Sequence, residues 1–192
     1  EEAVSLTKHA KQAGADGALI ITPYYNKPTQ EGLYRHYKAI AESVDLPQVL
    51  YNIPGRTGVN MLPSTVARLC GLQSIVGIKE GSGSVQQASE IAHTCGDRMI
   101  VLAGDDALTL PMMAVGGKGV ISVTSNVVPS EMAQLVKAFL SGRIDEARRI
   151  HFALSPLFTA LFYETNPIPV KTALGMMGKI DPELRLPLCA MA

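Results

Sequence analysis

Apolar positions along the chain divide it into alternating kinds of segment. Ala3, Leu6, Ala10 and Ala13 recur at three- and four-residue steps, the spacing of a helix with one apolar face, and Gly14 and Gly17 end it. The pattern then changes to compact apolar runs with no polar alternation: Ala18 to Ile21, Val49 to Tyr51, Ile75 to Ile78, Met99 to Leu102 and Val120 to Val123. Runs apolar on both faces suit parallel strands covered by helices. Helical stretches with their own start signals lie between them. Thr29 precedes Leu33, Tyr37, Ile40 and Val44; Pro63 sits where a first turn tolerates it; Ser84 leads into Val85, Ala88, Ile91 and Ala92. Beyond the fifth strand the pattern is purely helical. Met132, Leu135, Val136 and Phe139 share a stripe, Gly142 stops it, a longer stretch runs from Asp145 to about Tyr163, and a final helix lies between Pro169 and Met177. The expected division is therefore a βα-repeat unit over 1–141 and a helical region over 142–192, closing on an uncapped apolar segment from Leu186 to Ala192.

Consecutive βα units arise in an open doubly wound sheet or in a closed (β/α)8 TIM barrel, each crossover being right-handed. A dinucleotide-binding sheet carries G-x-G-x-x-G after its first strand, and this chain has none. Instead, polar residues stand at the carboxyl end of strand after strand: Tyr24 and Tyr25, Tyr51, Lys79, Asp105 and Asp106, then Thr124 and Asn126. In a barrel those ends converge on one mouth, so the α/β barrel is the expected fold class.

Composition narrows the function. With 17 basic and 17 acidic residues in 192, the chain has no basic surplus to recommend nucleic acid or an anionic membrane as a partner. No apolar run approaches the roughly 20 residues of a membrane span, and no basic-then-apolar leader opens the sequence, so a cytoplasmic protein is expected. Cys70, Cys95 and Cys189 are too widely spaced for a zinc or redox pair and read as buried fillers. His9, His36, His93 and His151 fall on helices without ligand spacing, so no metal is expected. Asp105-Asp106 could be a metal or acid pair but is as easily a helix cap. Gly116-Gly117-Lys118-Gly119 precedes a strand and reads as a tight turn, not a phosphate cradle.

Lys79 carries the most chemistry. It follows a buried strand and precedes Glu80-Gly81-Ser82-Gly83. Burial disfavours the ammonium form, and a neutral amine at a barrel mouth is what carbonyl capture as a Schiff base requires. A lysine that snorkels from a strand end to water is the competing reading. Tyr51 ends the preceding strand and offers a phenol to relay protons during imine formation. Arg56, in the loop Pro54-Gly55-Arg56-Thr57-Gly58 that its proline makes rigid, offers a planar fork for a carboxylate.

Five ordered motifs carry a resemblance: Thr22-Pro23-Tyr24-Tyr25-Asn26-Lys27-Pro28, Leu50 to Gly58, Gly77-Ile78-Lys79-Glu80, Leu102-Ala103-Gly104-Asp105-Asp106 and Gly119 to Asn126. Together they resemble the dihydrodipicolinate synthase family, collinearly and over essentially the whole chain. The resemblance implies a cofactor-independent (β/α)8 lyase, bacterial and cytoplasmic. It would condense pyruvate with L-aspartate 4-semialdehyde through a Schiff base in the diaminopimelate route to lysine. It implies Lys79 as the imine-forming lysine, Tyr51 as the proton donor and acceptor beside it, and Tyr25 as a relay tyrosine inserted across a dimer interface. Arg56 would bind the semialdehyde carboxylate, and Gly104 and Ile121 would line the pocket. Tyr24 and Glu2 match a site where lysine acts as feedback inhibitor, and a homotetramer, a dimer of dimers, is the implied assembly. N-acetylneuraminate lyase and other pyruvate aldolases resemble the chain less, because the former lacks the Pro-x-Arg-Thr-Gly pattern.

The family motif Gly-Thr-Thr-Gly-Glu, source of a relay threonine, occurs nowhere in the sequence. By family order the five strands are the fourth to eighth. An internal fragment is thus expected, with an unclosed barrel and exposed strand edges, since a complete barrel runs to about 250 residues. A non-catalytic association module is the alternative of another class.

Overall fold

The computed structural model describes all of residues 1–192. Helices and strands alternate in the order α1 (Glu2–Gln12), β1 (Ala18–Ile21), α2 (Gln30–Ser43), β2 (Gln48–Asn52), α3 (Pro54–Thr57), α4 (Pro63–Leu69), β3 (Ile75–Glu80), α5 (Val85–Cys95), β4 (Ile100–Ala103), α6 (Thr109–Ala114) and β5 (Gly119–Val120). Three further helices follow: α7 (Pro129–Leu140), α8 (Ile144–Ala160) and α9 (Ile168–Met176). The start signals act as expected. Thr29 Oγ1 accepts from Gly32 N at 3.2 Å to cap α2, Ser84 Oγ accepts from Gln87 N at 3.1 Å to cap α5, and Pro63 opens α4.

All five strands are parallel and lie in chain order, β1-β2-β3-β4-β5. A doubly wound sheet reverses its strand order at a switch point, whereas barrel winding adds each strand beside the last, and only the second matches this order. Within this chain β1 and β5 each pair on one side only. Side chains alternate across the sheet. Leu50, Asn52, Ile78, Glu80, Val101 and Ala103 point to the helical side and are buried. There they pack with Leu33 and Tyr37 of α2, Val66 and Leu69 of α4, Ile91 of α5 and Met112 of α6 to form the main core. The other face carries Leu19, Ile21, Val49, Tyr51, Lys79, Ile100 and Leu102 by register. It is apolar too, but uncovered here: Leu19 is 48%, Ile21 39% and Ile100 48% exposed.

Three expectations need correction. The last strand is only two residues long, because Val123 N and Thr124 N donate to the Asp106 carboxylate at 3.0 and 2.9 Å and not to a sheet ladder. Arg56 lies on the helical turn α3, closed by Gly58 in the left-handed region at φ 70°, and not on a loop. Cys70 and Cys95 are buried fillers, with burial pushing the Cys95 thiol up to about 12, but Cys189 is exposed.

The four histidines lie on α1, α2, α5 and α8, and no group of three or more His, Cys, Asp or Glu comes together as a metal cluster. No helix is long and apolar enough to cross a membrane. Residues 142–192 hold α8, α9 and an extended end. Leu154 and Phe158 of α8 cluster with Met132 of α7, and Leu186 is 88% exposed.

Candidate active site

The carboxyl ends of β2 and β3 set the centre of the site. In the β2–β3 register Tyr51 is paired with Lys79 and Asn52 with Glu80. Alternation sends the first pair to the open face and the second to the helical side. Lys79 Nζ consequently stands over the Tyr51 ring, 4.2 Å from its centroid. The lysine is half-buried. Burial lowers its affinity for a proton below that of an ordinary lysine, and the negative charge of Asp106 opposes this in part. Tyr51 shifts the other way: burial raises the phenol above its usual value, with the Arg56 charge pulling it back. The pair thus combines a partly desolvated amine, the nucleophile of imine chemistry, with a phenol held protonated well above neutral pH.

The structure divides the Asp105-Asp106 pair, which the sequence alone leaves undecided, into two roles. Asp105 is the cap: its Oδ1 accepts from Ala107 N at 2.9 Å. Asp106 instead is 1% exposed and takes three hydrogen bonds on one oxygen, from Val123 N, Thr124 N and, at 3.0 Å, Thr124 Oγ1. Its other oxygen is buried without a partner. The carboxylate therefore joins the end of β4 to the segment after β5 and places a negative charge within electrostatic reach of Lys79.

Gly104 and Ile121 stand where the strand ends meet. Gly104 N donates to Glu80 O at 2.7 Å and Ile121 N to Ala103 O at 3.0 Å, so Gly104 is fixed beside the end of β3 and Ile121 beside the end of β4. Arg56 is exposed at the rim. Its guanidinium donates to Asn166 O at 2.9 Å and Thr165 Oγ1 at 3.4 Å, tying α3 to the segment before α9. No local sequence signal marks a contact spanning 110 residues.

Tyr25 is not brought to this centre. It is 94% exposed on the turn after β1, with φ at 58°. Tyr24 and Glu2 meet elsewhere, at a cleft of about 650 Å3 between α1 and β1 that Leu6, Leu19 and His36 also line.

Barrel-type winding with a half-buried lysine against a tyrosine at the strand carboxyl ends defines a lysine-centred (β/α) barrel protein. The family model of the Dihydrodipicolinate synthetase family matches residues 1–192, and the chain belongs to that family. It is 62% identical over 191 residues to the 4-hydroxy-tetrahydrodipicolinate synthase of Geotalea daltonii, covering 100% of this chain and 66% of that protein. The crystal structure of dihydrodipicolinate synthase from Aquifex aeolicus superposes with a TM-score of 0.97 at 53% identity, over 100% of this chain and 66% of that one. The chloride-inhibited dihydrodipicolinate synthase of Acinetobacter baumannii complexed with pyruvate gives 0.97 at 48% identity, with the same coverage. The chain thus spans just under two thirds of the length of the relatives it matches.

Proposed function

We propose that this chain carries the lysine centre of a 4-hydroxy-tetrahydrodipicolinate synthase, condensing pyruvate with L-aspartate 4-semialdehyde. The observation that carries the reading is the Lys79 amine held 4.2 Å above the Tyr51 ring on neighbouring parallel strands. Family membership and the pyruvate complex of the Acinetobacter baumannii relative support it.

The neutral Lys79 amine adds to the pyruvate ketone, the carbinolamine loses water, and the protonated imine forms. Loss of a methyl proton then gives an enamine, whose carbon attacks the semialdehyde. Imine hydrolysis or cyclisation returns the amine. Tyr51 gives and takes protons in these steps, a role that suits a phenol kept protonated by its surroundings. Arg56 would receive the semialdehyde carboxylate, a role supported by its exposure at the rim and its tether to Asn166 O, and Gly104 and Ile121 would line the pocket.

Exposure of Tyr25 supports its use at an interface with a second subunit, where it would extend the relay; the assembly we infer is a dimer of dimers. The shared cleft of Glu2 and Tyr24 supports a lysine effector site. A cytoplasmic location accompanies the biosynthetic role. The test is to form the pyruvate adduct and add aldehydes. Discharge by L-aspartate 4-semialdehyde is expected; discharge only by a sugar aldehyde would instead assign the chain to a lyase of the N-acetylneuraminate type.

A further inference from the structure

Glu80 is adjacent to Lys79, yet faces away from it and is completely buried. A buried carboxylate is costly unless it is paired or fully hydrogen-bonded, and none of the ion pairs in the structure involves Glu80. Neutral donors surround it instead. Ser82 N donates to Oε1 at 2.6 Å, Asn52 Nδ2 approaches Oε1 at 3.4 Å and Oε2 at 3.1 Å, and Gln87 Nε2 reaches Oε2 at 3.1 Å. Every one of these bonds is donated to the carboxyl group, the pattern of a carboxylate.

The donors are themselves fixed. Asn52 Oδ1 accepts from Met61 N at 2.9 Å, and Asn52 Nδ2 donates to Asn60 Oδ1 at 2.8 Å. Asn60 Nδ2 in turn donates to Gln87 Oε1 at 2.9 Å. The network therefore binds the ends of β2 and β3, the segment before α4, and α5. Its two strand members, Asn52 and Glu80, are register partners, and each directly follows a member of the Tyr51–Lys79 pair. The last rung on the helical side is locked by side chains; the rung before it presents amine and phenol on the opposite face. The backbone adds to the lock, with Gly81 N donating to Asn52 O at 2.8 Å and Gly104 N to Glu80 O at 2.7 Å.

We propose that Glu80 is a positioning residue for the Lys79–Tyr51 pair: its carboxylate, by gathering Asn52, Gln87 and Ser82 N, fixes the spacing of the two reactive side chains from behind the sheet. This deepens the proposed function and rests on it. Glu80→Gln keeps the shape but puts an NH2 group against a donor at whichever oxygen it replaces. Displacements of about an ångström at a reacting pair reduce rates by about 100-fold, and a smaller relaxation is expected here to slow pyruvate adduct formation at Lys79 about tenfold.

The experiment measures borohydride-trapped adduct at Lys79, per natively folded molecule, in four proteins. These are wild type, E80Q, the swap E80Q/Q87E, and T29A, which removes the α2 cap and lowers stability through a side chain that makes no hydrogen bond to the network. E80Q is expected to be slow, the swap to recover part of the loss, because the new carboxylate at position 87 accepts from the new amide at position 80 but gives up the Gln87 bonds to Asn60 Oδ1 and Met61 O, and T29A to match wild type. E80Q at the wild-type rate, or T29A slowed as much as E80Q, would overturn the proposal. A readout independent of pyruvate is the ring-current shift that Tyr51 imposes on the Lys79 side-chain protons. It should shrink in E80Q alone among the single variants; an unchanged shift in E80Q overturns the positioning role. A wild-type chain with the ring-current shift but no adduct refutes the proposed function instead.

Discussion

Gly104→Ala is the substitution that separates the geometry of the site from the stability of the fold. Gly104 is not at positive φ, so alanine meets no conformational penalty there. The added methyl, however, would stand 2.9 Å from Gly81 Cα, 3.0 Å from Glu80 O and 3.1 Å from Gly81 N. Ordinary contact begins at 3.4 Å, so the strand ends must part by about 0.5 Å, and the atoms that must yield are the backbone immediately after Lys79. Overpacking of this kind costs about 1–3 kcal/mol. A shift of that size at a reacting pair is expected to slow pyruvate adduct formation about tenfold, as about an ångström costs about 100-fold. Gly117→Ala supplies the control. Its methyl would meet Met112 O at 2.8 Å and Met112 C at 3.0 Å, an equal clash in the turn leading into β5, at the opposite end of the sheet from Lys79. Urea unfolding followed by circular dichroism measures the first effect, and trapping rates under native conditions measure the second. Both variants should be destabilised, and only G104A should be slow. Equal trapping rates in the two variants would refute the claim that the end of β4 sets the geometry at Lys79.

Asp106→Asn should move the rising limb of the pH profile for adduct formation to lower pH. The Asp106 charge favours the Lys79 ammonium, so without it the amine loses its proton more readily. The reverse displacement would contradict that assignment. Arg56→Ala should raise the Tyr51 phenol further, because the arginine is what draws it down; ultraviolet titration of the tyrosines reads the change. The same variant should speed proteolysis around Thr165 and Asn166, which Arg56 holds. Thr29→Ala should cost about 1 kcal/mol in urea unfolding through loss of the α2 cap, without altering the site.

The strands and helices were legible because each announces itself locally. Thr29 and Ser84 cap where their sequence context predicts, and β1 to β4 fall on apolar runs. Where an element depends on a distant partner, the reading fails. Val120 to Val123 has the composition of a strand, but after Ile121 N, which still donates to Ala103 O, the Val123 amide is claimed by Asp106 and the ladder goes no further. Lys79 and Tyr51 were legible as residues ending successive strands, and one register fact brings them together. Glu80 gave no such signal. A charged residue after a strand ordinarily faces water, and its burial depends on donors from β2, α5 and the turn after β3, which only the fold assembles. Arg56 was read for its charge, while its tether to Asn166 lies beyond any local pattern.

The central claim is that Lys79 is the amine that captures pyruvate. Incubation of the chain with pyruvate and borohydride, digestion and peptide mass mapping test it directly. The account predicts one reduced adduct, on the peptide containing Lys79, and none in Lys79→Ala. An adduct on another lysine, or one that persists in Lys79→Ala, would contradict it.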